Sequence, residues 1–321
     1  MDRLFPGTAP AKLYAFLLKV RPLEEGTVMP FSGELIHAAW LRWLEATAPE
    51  VAHWLHDGNK RRLFTCSSLQ FPLSAARVRE AERENIHLPV SPEQTYTIRI
   101  TLLLGELFPL FHEALTNFQQ QQKTEQPPFM RIGKHLFLLE EVVGGEDDGA
   151  GWTGFTSFAQ LVEQAKNARP GKAEPLILEF DSLTTFSRGS QNNKAYGGHH
   201  ARLPLPEYVF TGLARRWQEL APPELAGLVQ MERVEQYCRD EGIIIVDYHL
   251  RTHQLKFTNH PQSGFLGTCK YLLRGPDEPT TSEAPLTVRQ QLLLLAQLAF
   301  YTGVGYKTAM GMGRTRVVEK L

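Results

Sequence analysis

The sequence has little cysteine. Cys66, Cys238 and Cys269 stand far apart among 321 residues and form no CxxC pair, which fits reduced thiols and argues against a disulfide framework. It has almost no net charge, since 34 Lys and Arg face 35 Asp and Glu for a balance of −1. Composition therefore does not announce a polyanion binder, and any basic surface has to be local. Long hydrophobic runs are missing too. Stretches such as Leu292–Leu295 and Ile243–Val246 fall far short of the roughly 18 apolar residues of a membrane span. Met1-Asp2-Arg3 leads into no apolar signal-peptide core, so a cytoplasmic protein without a membrane partner is expected. No GK[ST] phosphate loop and no dinucleotide fingerprint occur, and no cofactor is expected.

What is present is ordinary globular material, 42% hydrophobic and 21% charged, long enough for two domains. The order of elements is the useful signal. Lys12 to Val20 reads as a strand, and Gly33 to Ala46 as a helix with Leu35, Ile36, Ala39, Trp40, Trp43 and Leu44 on one broad stripe. Pro49 opens a short second helix reaching His56. Leu63 to Phe71 and Thr95 to Leu104 read as extended, Glu106 to Phe118 as helix, and Phe129 to Val143 as a last strand or strand pair. The acidic, glycine-rich stretch from Gly144 to Gly151 reads as a loop, followed by a linking helix from Ser157 to Ala168.

The order then recurs. Pro175 to Phe180 is a strand, Tyr208 to Leu220 a helix, and Gly242 to Tyr248 a strand expected to pair with Gln254 to Thr258 as a hairpin. Gly264 to Leu273 is a strand, Leu286 to Tyr301 a helix, and Arg314 to Val318 a closing strand. Both halves spell β-α-β-β-α-β, so the expected class is α+β, two tandem ferredoxin-like domains. The divisions expected are residues 1–146, a linker with a short helix at 147–171, and residues 172–321. Such a fold hosts unrelated functions, so the sites have to decide.

Four positions near the first two helices draw attention. His37 lies at the edge of the apolar stripe. His53 and His56, three residues apart, project away from Val51, Trp54 and Leu55 at about 100° per residue. Arg62 follows within Lys60-Arg61-Arg62. Cutting RNA without a metal requires a proton taken from the 2′-hydroxyl, a proton given to the leaving 5′-oxygen, and neutralisation of the charge on phosphorus. Imidazole suits both proton transfers because it titrates near neutrality, and a guanidinium suits the charge. A zinc site is the local rival, but HxxH is not the usual i, i+4 helical pair and no further ligand stands nearby. His199 and His200 fall in what reads as a polar loop, solvated by default, with RNA contact as the alternative.

The most unusual segment joins the last helix to the last strand. Gly303, Gly305, Gly311 and Gly313 put four glycines into eleven residues, with Lys307 and Arg314 adding charge. Glycine permits positive φ and close backbone approach, and successive exposed amides can form an anion-binding concavity. A plain connecting loop is the alternative.

Together these segments resemble the CRISPR-associated endoribonucleases that process precursor CRISPR RNA, part of the repeat-associated RNA-binding superfamily. The resemblance rests on residues 35–39 with 49–56 and Leu63-Phe64-Thr65, on Gly264-Phe265-Leu266-Gly267 leading into Tyr271-Leu272-Leu273, and on residues 303–313. It implies metal-independent cleavage within the repeat by 2′-hydroxyl attack, leaving 5′-hydroxyl and 2′,3′-cyclic phosphate ends. It places the family's catalytic histidine on His56, its helper on His37 where some members have tyrosine, and its basic partner on Arg62 where others have lysine. His53 stays a candidate. Lys60, Arg61, Gly303, Gly305, Lys307, Gly311, Gly313 and Arg314 are the expected RNA contacts. The implied partner is CRISPR repeat RNA, with effector subunits and a second copy of the chain as open partners. A non-catalytic RNA-binding relative and an unrelated ferredoxin-like metabolic enzyme or sensor are the alternatives.

Overall fold

The computed structural model describes residues 12–56, 63–113, 129–145, 151–168, 175–189, 199–257, 261–275 and 286–318. The chain divides into two units. One is Met1–Phe155 with Leu255–His260 and Ala309–Gly311, and the other is the remainder.

In the first unit, β1 (Lys12–Pro22), β2 (Gly26–Val28), α1 (Gly33–Thr47), α2 (Pro49–His56), β3 (Phe64–Cys66), α3 (Ala75–Glu84), β4 (Leu88–Val90) and β5 (Tyr96–Leu102) follow in order. A helix α4 at residues 107–113 precedes β6 (Phe129–Ile132), β7 (His135–Gly144) and β8 (Gly154–Ser157). The sheet runs β3-β5-β1-β7-β6. β1 is antiparallel to both β5 and β7, with Leu18 opposite Ile98 and Val142. α1 joins β1 to β3, α4 follows β5, and β7 closes beside β1, so the sheet has the ferredoxin-like order. Trp40 packs 5.5 Å from Phe111 and 6.2 Å from Phe64 between helix and sheet, and all three rings are buried. Burying such side chains contributes about 1.5–3 kcal/mol each, which fixes α1 and the face it turns inward.

In the second unit, β9 (Leu176–Thr184) is followed by β10 (Phe186–Arg188), β11 (His199–Ala201), α6 (Pro206–Leu220), α7 (Pro223–Ala226), α8 (Met231–Arg239), β12 (Ile243–Lys256), β13 (Pro261–Leu273), α9 (Val288–Thr302) and β14 (Thr315–Val318). The linking helix α5 (Phe158–Asn167) opens on a capping box between Ser157 and Gln160. The sheet order β12-β13-β9-β14 repeats the arrangement of the first unit. Phe180 and Phe265 meet at 5.0 Å on its inner side, and Trp217 and Tyr271 are fully buried. The two tandem ferredoxin-like folds expected from element order are therefore present.

Three expectations need correction. The hairpin between Gly242–Tyr248 and Gln254–Thr258 does not form, because its turn positions continue a single strand, β12, whose neighbour is β13. His199 and His200 lie on a strand paired with β10, not in a loop. In α1 the expected stripe is buried except at its edge, and His37 and Leu41 widen it. Leu35 is 38% exposed while His37 is 7% exposed, because His37, Trp40, Leu41 and Leu44 form the i, i+3, i+4, i+7 set of a helix face.

Candidate active site

His37 sits on the buried face of α1, 5.3 Å from the Phe64 ring of β3. Its Nδ1 lies 2.9 Å from the backbone oxygen of Ala309. A carbonyl oxygen only accepts, so Nδ1 carries the proton, and in the neutral ring Nε2 is the basic nitrogen. The Cys66 thiol donates to the same oxygen across 2.9 Å. Burial pushes this thiol far up, and the backbone bond to Gly311 opposes that more weakly. Cys66 therefore stays a protonated donor rather than a nucleophile.

The backbone explains why this carbonyl comes so close. Gly33 is the first residue of α1, and a Cβ there would stand 2.1 Å from the Met310 oxygen. Gly311 has φ +87, and a Cβ on it would meet Gly33 Cα at 3.1 Å. Two glycines thus allow two backbones to touch. The entry to α1 is held from the other side by Ser32, whose Oγ accepts from Leu69 N at 2.9 Å and whose N donates to Ser68 Oγ at 3.2 Å. Gly33 and Cys66 escaped the sequence reading. The signal for Gly33 was a glycine at a helix start that no turn required. Nothing in the sequence pointed to Cys66.

Several amides of the glycine segment are bonded to backbone oxygens of the protein. Gly303 N donates to Ala299 O, Val304 N to Gly313 O, Tyr306 N to Thr185 O and Gly313 N to Leu183 O, all within 2.8–2.9 Å. Gly303, Gly311 and Gly313 are buried, whereas Gly305 is exposed and Lys307 half-buried. The backbone at Lys307 is left-handed, with φ 56. Arg314 forms an ion pair with Asp181. The outward positions of the loop are therefore Gly305, Tyr306 and Lys307.

His53 and His56 are exposed on α2, opposite the buried Val51, Ala52 and Leu55, as the helical spacing predicts. Lys60, Arg61 and Arg62 lie outside the described residues. The structure thus holds His37 against the glycine segment and leaves His53 and His56 on a solvent face. Among the described residues, no three His, Cys, Asp or Glu side chains cluster in a way that could hold a metal ion. None of the described helices is long and apolar enough to cross a membrane.

Two family models match the chain. Residues 13–163 match the CRISPR Cas6 N-terminal domain, and residues 178–315 match the CRISPR-associated endoribonuclease Cas6. Between them they take in both sheets and both ends of the site. The chain belongs to the Cas6 family. It is accordingly a CRISPR-associated endoribonuclease. Solved Cas6 structures share its fold. A Cas6 product complex superposes with a TM-score of 0.67 at 21% identity, covering 96% of this chain and 100% of its own. Thermus thermophilus Cas6 gives 0.61 at 22% identity, covering 97% and 100%. A Cas6-related protein from Pyrococcus furiosus gives 0.55 at 13% identity, covering 96% and 100%. No curated protein matches by direct sequence comparison.

Proposed function

We propose that this Cas6 cuts CRISPR precursor RNA within its repeats without a metal ion. The 2′-hydroxyl of the scissile nucleotide attacks the adjacent phosphorus, the bond to the 5′-oxygen breaks, and the products carry 2′,3′-cyclic phosphate and 5′-hydroxyl ends. The attacking oxygen loses a proton and the leaving oxygen gains one, so an acid and a base suffice. His56 and His37 share these transfers. The tautomer of His37 makes its Nε2 a proton acceptor, and the exposed His56 is available to exchange protons at the end of α2. Arg62 neutralises the phosphate in the transition state, and His53 is the reserve for His56.

The observation that carries this reading is the bond from His37 to Ala309. It joins a histidine of the N-terminal domain model to the glycine segment, two of the three segments on which the resemblance rested. Substrate contacts are assigned to Lys60, Arg61, Gly303, Gly305, Lys307, Gly311, Gly313 and Arg314. Of the described ones, Gly305 and Lys307 face outward, while buried Gly303, Gly311 and Gly313 shape the backbone. The relatives solved as product and substrate-mimic complexes support an RNA ligand. A domain division at residues 1–146, 147–171 and 172–321, transfer of the product to effector subunits, a homodimer and a cytoplasmic location belong to the same proposal.

The test is incubation of labelled CRISPR repeat RNAs with the protein in excess chelator. A single cut with a cyclic-phosphate end is expected. Tight binding without any cut would instead favour the non-catalytic RNA-binding reading.

A further inference from the structure

Most cations of the second unit's sheet have acidic partners. Arg314 pairs with Asp181, Arg316 with Glu179, and Lys270 with Asp247. Arg188, at the end of β10, is different. It is exposed, and no carboxylate pairs with it among the described residues. Its guanidinium lies 4.7 Å over the ring of Tyr208. A guanidinium laid on an aromatic face keeps its orientation and leaves its N–H fork for a planar or phosphate acceptor.

Directly opposite Arg188 in the antiparallel register stands His199, also exposed. Two cation-forming side chains facing each other across a strand pair are unfavourable when both are charged. Among the described residues neither forms an ion pair, since the nearby Glu207 carboxylate acts on the Tyr208 hydroxyl, and an anion would relieve them. On the other side of the ribbon, the His200 ring lies 5.3 Å from Tyr306, and Lys307 Nζ stands 5.7 Å over the same ring. Tyr306 is 36% exposed, and its backbone is fixed by the bond from its N to Thr185 O at 2.9 Å. The left-handed backbone at Lys307 is uncommon for a residue with a Cβ and is held there by its surroundings.

We propose that the β10–β11 ribbon is an RNA-binding element of this enzyme. Arg188 and His199 take phosphates of a single-stranded part of the RNA, and Tyr306, between His200 and Lys307, stacks a base. This rests on the RNA-processing reading and extends it to Arg188 and Tyr306, which the sequence reading did not single out. Phosphate contacts supply salt-dependent affinity, whereas stacking on an aromatic ring tolerates any base.

The experiment measures binding of a fluorescein-labelled CRISPR repeat RNA, with labelled oligouridylate as the non-specific partner, across a salt series. Wild type is compared with Arg188→Ala, Arg188→Gln, Arg188→Lys and Tyr306→Ala. Each alanine variant is expected to melt as wild type does, since both side chains are partly exposed. Arg188→Ala and Arg188→Gln should weaken binding and reduce the slope of log K against log salt by about 0.7, the value for one phosphate on a single strand. Arg188→Lys should keep most of the slope. Tyr306→Ala should weaken binding about tenfold with the slope unchanged. Wild-type affinity and slope in both Arg188→Ala and Arg188→Gln would overturn the proposal. Cleavage by the wild type, followed in parallel, separates the two readings. Intact cleavage with an unchanged slope contradicts the ribbon alone, whereas absent cleavage contradicts the processing reading.

Discussion

The imidazole of His37 donates from Nδ1 to the backbone oxygen of Ala309 across 2.9 Å. A purely structural bond and a catalytic one can be separated. His37→Ala removes the donor and leaves a hole beside Phe64, which should cost about 1–3 kcal/mol in stability. It should also slow single-turnover cleavage by about 10²–10⁴. His37→Asn places an amide donor near the position of Nδ1, so stability should recover in part and the rate should not. Wild-type cleavage by His37→Asn would reduce His37 to a tether.

His56 is exposed at the end of α2, so His56→Ala should leave the melting temperature unchanged. Its single-turnover rate should fall about 10² or more with little change in RNA affinity. His53→Ala, one helical turn earlier on the same exposed face, is the control and should cut normally. The reverse ranking, with His53→Ala inactive and His56→Ala active, would move the role to His53.

Element order was legible in the sequence because each ferredoxin-like half is written in strong local patterns. The stripe from Ile36 to Leu44, the β-branched run before Leu102 and the apolar helix ending at Tyr301 each found their place. α3 escaped because it buries little and rests on its caps: Ser74 Oγ accepts from Arg77 N, and Asn85 closes the end at φ 56. In α1 only the edge of the stripe departed from the pattern: Leu35 is exposed, and His37, placed at that edge, is buried on the face of Trp40 and Leu44. The glycine segment was visible as unusual. Its inward bonding was not, because contacts such as Gly33 against Met310 join residues far apart in sequence.

The glycines make a backbone test. Gly313 has φ +72, and a Cβ there would stand 2.2 Å from the Val304 oxygen. Gly313→Ala should therefore destabilise the protein by about 1–3 kcal/mol. Gly305 also has positive φ, at +88, and although it is exposed a Cβ on it would stand 2.5 Å from the Thr185 oxygen. Gly305→Asn should therefore destabilise the protein as well. Equal denaturation midpoints for wild type and Gly313→Ala would contradict the inward packing.

Stability should fall in alkali before any surface effect explains it. Burial pushes the Cys269 thiol up to about 11 from an ordinary 9.0 and raises the Tyr271 hydroxyl well above 10.0. Tyr271 is buried and donates to Pro204 O at 2.7 Å. Both groups stay protonated in the folded protein while the unfolded chain releases their protons. The unfolded state thus binds fewer protons, and stability declines as pH rises through 9 toward 11. Urea midpoints across this range should drop, and Cys269→Ala should flatten the decline. An equal slope in that variant would remove the thiol from the account.

The central claim is that the nucleophile is the RNA's own 2′-hydroxyl, activated by imidazole without a metal. The most direct measurement is single-turnover cleavage, in excess chelator, of a repeat RNA and of the same RNA carrying one 2′-deoxyribose at the scissile nucleotide. The all-ribose RNA should be cut to a cyclic-phosphate end, while the deoxy RNA should bind with similar affinity and stay whole. Cleavage of the deoxy RNA, or activity that vanishes in chelator and returns with added metal, would contradict the claim.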